Sequence, residues 1–170
     1  LQWQDELHNL LGIPSAIWNG KDWVDEQSII HPSKSIESVK KCPRRIGIIS
    51  QGLITSGSEI IEHLKSLTYE CIVLDEAHRA RRKKINDQSM YEKADPNNLM
   101  KFLWEMSTKT KSMLLATATP VQLHLIEAWD LLKILAQGND YVLGTEWSEW
   151  QKPDKAIPVV TGESIIPNEL

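Results

Sequence analysis

Three short apolar segments constrain the fold of this chain more than any other feature of its sequence. They are "RIGIIS" (45–50), "CIVLD" (71–75) and "SMLLAT" (112–117). None of them alternates polar with apolar residues, which is typical of strands covered on both faces in a parallel sheet. We therefore expect three buried strands.

Helical patterns fill the intervals between these segments. Ser56 and Glu59 have the spacing of a capping box ahead of an apolar helical face. Asn97 or Asn98 could cap a second helix with apolar residues at helical spacing. Long connections between parallel strands are nearly always right-handed crossovers, so the order strand, helix, strand, helix, strand predicts a parallel α/β sheet flanked by helices.

Two further helices are predicted outside this unit, one at the front of the chain and one at 125–135. The apolar face of the first consists of Trp3, Leu7, Leu10 and Leu11. Trp3, Trp104 and Trp129 fall in helical patterns with other apolar residues, which favours core packing over stacking on nucleic-acid bases.

Two stretches have no steady hydrophobic period. Residues 83–96 are polar and are predicted to form a loop, and residues 138–170 contain three prolines and are predicted to be irregular. The predicted domains are accordingly one lobe at 1–137 and an irregular extension at 138–170.

The composition is that of an ordinary globular protein, with 41% hydrophobic and 25% charged residues in a chain of 170. No apolar run approaches the roughly 20 residues that cross a bilayer. The net charge of −4 gives no global attraction to nucleic acid, so any such binding must come from a local patch. Cys42 and Cys71 lie far apart and suit a reducing compartment, and we expect a cytoplasmic location.

Two adjacent carboxylates, Asp75 and Glu76, follow the second apolar segment directly. In open α/β sheets ligands bind beyond the carboxyl ends of the strands. A nucleotide triphosphatase needs one carboxylate near the Mg²⁺ on the phosphates and a second group that orients and deprotonates water. The alternative for this pair alone is that both residues complement the dipole of a following helix. The full tetrapeptide "DEAH" (75–78) after an apolar strand is more specific.

A second polar group ends the third segment, in "LLATATPVQ" (114–122). If the strands are parallel neighbours, Thr117 and Thr119 lie at the same sheet edge as His78, within hydrogen-bonding reach. The alternative for Thr119 is that it caps a helix with Pro120 in the first turn.

The segments "VLDEAHRARR" and "LLATATPVQLHLIEAWDLL" resemble the first ATPase lobe of DEAD/DEAH-box helicases, specifically the Swi/Snf-related branch of superfamily two. The opening "LQWQDELHNLLGIPSAIWNGK" is similar to the helix after motif Ia of that branch. The resemblance covers most of residues 1 to about 150 and implies an incomplete RecA-like (P-loop NTPase) lobe.

The resemblance also implies roles for individual residues. Asp75 would be the carboxylate associated with Mg²⁺, and Glu76 would be the base for water, both at the ATP site. His78, Thr117 and Thr119 would couple the nucleotide state to lobe movement and to DNA.

The phosphate loop of such enzymes has the pattern G-x-x-x-x-G-K-[ST], which this chain lacks. Gly20 and Lys21 have no glycine at the first position, and Gly47 and Gly52 are followed by Leu53 in place of lysine. In the family this loop precedes the part matched here, and a second lobe with an arginine finger follows. The chain also begins without Met, and we expect it to be a piece of a longer protein that is inactive alone.

A basic cluster follows the DEAH motif and consists of Arg79, Arg81, Arg82, Lys83 and Lys84. Contacts to DNA phosphates would explain it, with Arg79 and Arg81 as the contacting residues, but a solvated loop is the simpler interpretation. By resemblance, Ser50 and Gln51 lie near the DNA track.

The sequence therefore predicts part of an ATP-dependent DNA helicase or translocase that uses ATP and Mg²⁺ on double-stranded DNA. It would act with the phosphate-loop segment and the second lobe of the same chain. The alternatives are a non-catalytic scaffold with the same fold and the motor subunit of a restriction or defence complex.

Overall fold

The computed structural model describes residues 2–83, 91 and 95–165. Contacts divide the chain into two compact units, Leu1–Leu67 and Thr68–Leu170. The predicted division into a lobe at 1–137 and an extension at 138–170 stays a prediction.

The first unit contains three helices and one mixed sheet of four strands in the order β3-β2-β1-β4. Its elements are α1 (Gln2–Leu11), β1 (Ser15–Trp18), β2 (Trp23–Asp25), β3 (Ile30–His31), β4 (Ile46–Ile49), α2 (Gln51–Thr55) and α3 (Ile60–Lys65). A 3-10 helix spans Ile36–Lys40.

Strand β1 organises this sheet, because it pairs antiparallel with β2 and parallel with β4. The rings of Trp18 and Trp23 meet edge to face at 5.4 Å between centroids, and both are buried. Below β1, the amide of Gln4 donates to the carbonyl oxygens of Ser15 and Val24, at 3.0 and 3.2 Å. Gln4 therefore joins α1 to the backbone of β1 and β2.

The apolar face predicted for the first helix is largely exposed. Leu10 and Leu11 are 76% and 66% accessible, and Trp3 is 43% accessible, whereas the buried residue of α1 is Gln4. The prediction of core packing is therefore wrong for Trp3. The side-chain amide of Gln4 lies toward the sheet because it donates hydrogen bonds to carbonyl oxygens of β1 and β2.

The predicted capping box at Ser56 and Glu59 is also absent. The hydroxyl of Ser56 donates to the carbonyl oxygen of Leu53 and closes α2, a short helix that the sequence did not predict. Helix α3 begins after Glu59, whose side chain makes no capping hydrogen bond.

In its described residues, the second unit has a parallel two-stranded sheet and helices. Its elements are β5 (Tyr69–Leu74), α4 (Asn98–Ser107), β6 (Thr110–Leu115), α5 (Ile126–Leu135) and α6 (Pro153–Val160), with 3-10 turns at Ala77–Arg79 and Glu149–Gln151. Asn97 caps α4, because its Oδ1 accepts the N–H of Met100 at 2.9 Å, which confirms one of the two predicted caps. The largest fully buried apolar side chains described in this unit are Leu99, Met100, Leu103, Met106, Ile126 and Ile134.

The three predicted strands all form, but they do not share one sheet. β4 belongs to the sheet of the first unit, because β1 pairs with it through a four-residue register that starts at Ser15↔Ile46. β5 and β6 pair with each other. Val73 and Leu114 are more than half accessible, so the prediction that both faces are covered is wrong for this pair of strands. The fold is mixed α/β and compatible with a RecA-like lobe.

The predicted irregular extension contains a helix. Pro153 stands in the first turn of α6, where a proline costs no hydrogen bond, and Ala156 and Ile157 are buried. The amine of Lys133 on α5 donates to the side chain of Gln151, which attaches this segment to α5. Pro153 therefore lies at the start of α6, and Pro158 lies inside this short helix. None of the helices among the described residues has the length and apolar character to span a membrane.

Candidate functional site

The carboxyl ends of β5 and β6 define the edge at which the predicted site residues meet. The strands run parallel and in register to Leu74↔Leu115. Beyond that point the N–H of Ala116 donates to Leu74, and the N–H of Ala77 donates to Ala116, both at 2.8 Å. Because the ladder continues past the strand ends, Asp75 and Glu76 follow β5 beside Thr117, which lies two residues after the end of β6.

The backbone between Leu74 and Ala77 explains why the two carboxylates project. Glu76 has φ 49° and ψ 47°, in the left-handed region, and Asp75 Oδ1 accepts the N–H of Glu76 at 2.9 Å. This turn returns Ala77 to the ladder, where it is fully buried, while both acidic side chains are exposed. A left-handed conformation costs a residue with a side chain roughly 1–2 kcal/mol, and such strain is concentrated at functional sites.

His78 is the centre of a polar cluster at this edge. Its Nδ1 lies 3.1 Å from Thr117 Oγ1, 3.4 Å from Thr119 Oγ1 and 3.2 Å from Glu76 Oε2. The N–H of Thr119 donates to Thr117 Oγ1 at 3.1 Å. The structure thus brings together the three residues predicted for coupling and one of the two predicted catalytic carboxylates. We call His78, Thr117 and Thr119 the coupling cluster.

The alternative for Thr119, a helix cap with Pro120, is not what the structure shows. Helix α5 begins at Ile126, seven positions after Thr119. The loop between them is held by Glu127, whose Oε2 accepts the N–H groups of Gln122, Leu123 and His124 at 2.7, 3.0 and 3.4 Å.

Glu127 is a residue that the sequence reasoning missed. It is 6% accessible, in a helix whose neighbouring positions are apolar. Burial alone would raise the pKa of its carboxyl, but the three backbone donors and the positive charge of Arg81 lower the pKa below its ordinary value. An acidic residue on the buried face of a predicted helix is a signal that could have identified it.

Arg82 was predicted as part of a solvated basic loop, and this prediction is wrong. Its guanidinium makes a bidentate ion pair with Asp130 on α5, with Nε to Oδ2 at 2.7 Å and a terminal nitrogen to Oδ1 at 2.5 Å. The two residues are 6% and 1% accessible. Burial raises the pKa of Asp130, and the guanidinium acts against that rise. Buried charges are retained when they are paired, which a count of charge along the sequence does not detect.

Three other members of the basic cluster lie at the surface. Arg79 and Arg81 are exposed, and the guanidinium of Arg81 donates to Gln122 Oε1 at 3.3 Å. Lys83 is exposed and lies 4.0 Å from Asp95, whereas Lys84 is outside the described residues.

Ser50 and Gln51 lie in the first unit at the start of α2. The hydroxyl of Ser50 accepts the N–H of Gly52 at 3.2 Å, so this residue caps the helix. The structural role of Ser50 accounts for its presence, and a contact with DNA at these two residues stays a prediction.

The exposed carboxylates are compatible with the way that proteins bind Mg²⁺. Among the described residues there is no group of three or more histidine, cysteine or acidic side chains that could hold a metal ion. Mg²⁺ does not need such a cage, because it keeps several water ligands and binds one or two carboxylates together with phosphate oxygens. Asp75, exposed at the end of β5, fits that mode of binding.

Comparison with known proteins points to helicases. No family model matches the chain. The chain is 30% identical over 138 residues to a Bacillus subtilis (strain 168) protein named "Uncharacterized ATP-dependent helicase YqhH". The matched region is 81% of this chain and 19% of that protein, so the chain spans about a fifth of its relative. This similarity supports a relationship to helicases and does not distinguish the Swi/Snf-related branch.

Proposed function

We propose that this chain is part of the motor domain of an ATP-dependent DNA helicase or translocase of the Swi/Snf-related branch. It would form an incomplete first RecA-like lobe. The observation that carries this proposal is the contact of His78 with Thr117 and Thr119 beside Glu76. Through His78, the carboxylate of Glu76, which is suited to water activation, is connected to the residues that follow β6.

In this function Glu76 accepts the proton of the water that attacks the terminal phosphate of ATP. General-base assistance of this kind contributes about 10² to 10⁴ in rate. The exposed Glu76 carboxylate is open to a substrate that approaches beyond the strand ends, and the left-handed backbone directs it away from the ladder.

Asp75 would hold Mg²⁺ together with the phosphate oxygens of ATP and water. When bound, the ion supplies positive charge that neutralises the phosphates. Asp75 itself is oriented by its hydrogen bond to the N–H of Glu76 at 2.9 Å. The Glu76 carboxylate lies instead beside His78, with Oε2 3.2 Å from Nδ1, so the two carboxylates would have separate tasks.

The coupling cluster would report the state of the nucleotide site to the DNA-binding parts of the motor. His78 contacts both Glu76 on the nucleotide side and the threonine pair at the end of β6. A change in the position of Glu76 on hydrolysis would therefore alter the contacts of Thr117 and Thr119. Double-stranded DNA would bind with help from Arg79, Arg81, Ser50 and Gln51.

The rest of the motor would come from other parts of a longer protein. The sequence lacks the lysine-bearing phosphate loop, and the chain spans 19% of its helicase relative. The accessible Val73 and Leu114 on β5 and β6 support the proposal that further segments cover this sheet. We expect the isolated chain to show no ATP turnover.

The decisive experiment compares DNA-stimulated ATP hydrolysis by the full-length protein with that of its Glu76→Gln variant. The variant should lose at least about a hundredfold in turnover while ATP binding is retained. Glu70→Gln is the matched control, because Glu70 is also exposed on β5, where it pairs with Lys111 at 2.9 Å. If Glu76→Gln leaves turnover unchanged, Glu76 is not the base. If the wild-type protein has no turnover, the scaffold alternative holds.

A further inference from the structure

Helix α5 carries two buried carboxylates, Glu127 and Asp130, that the catalytic proposal does not use. They are three positions apart and therefore lie on neighbouring parts of one helical face. A buried carboxylate is costly unless it is paired or hydrogen-bonded. Each of these carboxylates accepts hydrogen bonds from a loop that is connected to the coupling cluster.

The first loop follows the threonine pair. Glu127 fixes the N–H groups of Gln122, Leu123 and His124 through one oxygen, at 2.7 to 3.4 Å. Only Pro120 and Val121 separate Thr119 from the first of these amides. With so short a connection, the position of Glu127 constrains the position of Thr119.

The second loop follows the histidine. Arg82 is four residues after His78, and the 3-10 turn Ala77–Arg79 leads toward it. Its guanidinium is fixed by Asp130 through two hydrogen bonds, of 2.7 and 2.5 Å. Bidentate pairs of this kind define orientation as well as distance.

A third contact joins the two loops to each other. Arg81, next to Arg82, donates to the side chain of Gln122, whose N–H is held by Glu127. These contacts form a closed ring within the second unit. The ring runs from His78 along the chain to Arg82, through the ion pair to α5, and through Glu127 and its loop back to the threonine pair. Movement of α5 therefore changes both sides of the coupling cluster.

We propose that Glu127 and the Arg82–Asp130 ion pair are positioning residues that set the contact between His78 and the Thr117–Thr119 pair. Through this contact α5 would link lobe movement to ATP turnover. The inference rests on the proposed function, and it adds residues that touch neither ATP nor DNA in that proposal.

The first test measures basal and DNA-stimulated ATP turnover of the full-length protein. In Glu127→Ala we expect the stimulation by DNA to fall about tenfold to a hundredfold, because coupling between two sites typically changes a response by about 5- to 150-fold. Basal turnover and ATP affinity should change little. Glu127→Gln keeps an acceptor oxygen for the same amides and should retain most of the stimulation.

The ion pair is tested with the double variant Arg82→Met/Asp130→Leu, because a well-packed apolar pair can replace a buried ion pair without loss of stability. We expect a folded protein with impaired stimulation by DNA, since apolar contacts do not fix orientation as the bidentate pair does. A pair with a merely structural role would leave stimulation at the wild-type level in this folded variant, and that result would overturn the proposal for the pair.

A second readout does not depend on ATP turnover. In Glu127→Ala, amide hydrogen exchange should accelerate at 122–124, where the lost hydrogen bonds were, and also at 76–80 on the other side of the cluster. Acceleration confined to 122–124 would overturn the positioning role. If the wild-type protein lacks DNA-stimulated turnover, the proposed function fails, and this exchange pattern still decides whether α5 positions the cluster.

Lys133→Ala is the matched control on the same helix. The amine of Lys133 contacts Gln151 and the ring of Trp129, so this change loosens the attachment of the C-terminal segment. It should leave exchange at 76–80 and stimulation by DNA unchanged. An equal effect of Lys133→Ala and Glu127→Ala would show that any disturbance of α5 suffices, and would overturn the specific role of Glu127.

Discussion

The imidazole Nδ1 of His78 lies 3.1 Å from the hydroxyl oxygen of Thr117, although the two residues are 39 positions apart in the sequence. The parallel ladder between β5 and β6 produces this contact, because it brings both strands to one edge in register. The same ladder continues through Ala77 and Ala116, so backbone hydrogen bonds fix the residues directly before His78 and Thr117.

Removal of this contact should uncouple ATP turnover from DNA. We expect His78→Ala and Thr117→Val each to lower the stimulation of turnover by DNA, and the double variant to be little worse than either, because residues in one network have non-additive effects. ATPase assays with and without DNA measure this. Thr110→Val is the control, since Thr110 lies at the other end of β6 and its buried hydroxyl has no hydrogen-bond partner among the described residues. Effects that multiply would contradict a shared network.

The Arg82–Asp130 pair should be important for stability when one partner is removed. Arg82→Ala leaves a buried, unpaired carboxylate, and Asp130→Ala leaves a buried guanidinium, so each should cost about 3–5 kcal/mol in the free energy of unfolding. Urea unfolding measures the loss. An exposed ion pair such as Lys111–Glu70 contributes about 0–1 kcal/mol, and Lys111→Ala provides the comparison. Equal losses for the two pairs would mean that burial does not matter here.

Glu127 predicts a specific dependence of stability on pH. The folded state lowers the pKa of its carboxyl below the ordinary value of 4.5. The ionised form is therefore favoured by folding, and its contribution to stability is present above pH 4.5 and is lost as the pH falls through the lowered value. Thermal unfolding from pH 7 to pH 3, in the wild type and in Glu127→Gln, should show a difference in Tm that shrinks on acidification. A difference that is the same at all pH values would contradict this.

The local parts of the site could be predicted from sequence because they depend on neighbouring residues. The apolar runs specify β5 and β6, and the polar residues directly after them emerge at the strand ends whatever the rest of the fold does. Asn97 as a helix cap follows from the same kind of local chemistry. His78 and Thr117 could be placed together because parallel strands end at a common edge.

The remaining features depend on contacts between distant residues, which no local pattern encodes. β4 pairs with β1, a strand of four residues that lacks a periodic signal of its own. In the sequence, Arg82 is one residue of a charged run. It is buried because it forms an ion pair with Asp130, which lies 48 residues later in the chain. Gln4 is buried in place of its apolar neighbours because it meets two carbonyl oxygens of the sheet.

The left-handed backbone of Glu76 predicts a conflict between stability and activity at one residue. Glycine adopts this conformation without steric cost, but it also loses more entropy on folding, so Glu76→Gly should be neutral or stabilising by up to about 1 kcal/mol. The same variant removes the proposed base, so DNA-stimulated ATP turnover should be lost. Ser28, with φ 63° in the first unit, is the matched site for backbone strain alone. Ser28→Gly should show a similar small change in unfolding free energy with full turnover. A marked loss of stability in Glu76→Gly would mean that its side chain stabilises the turn and that the backbone there is not strained.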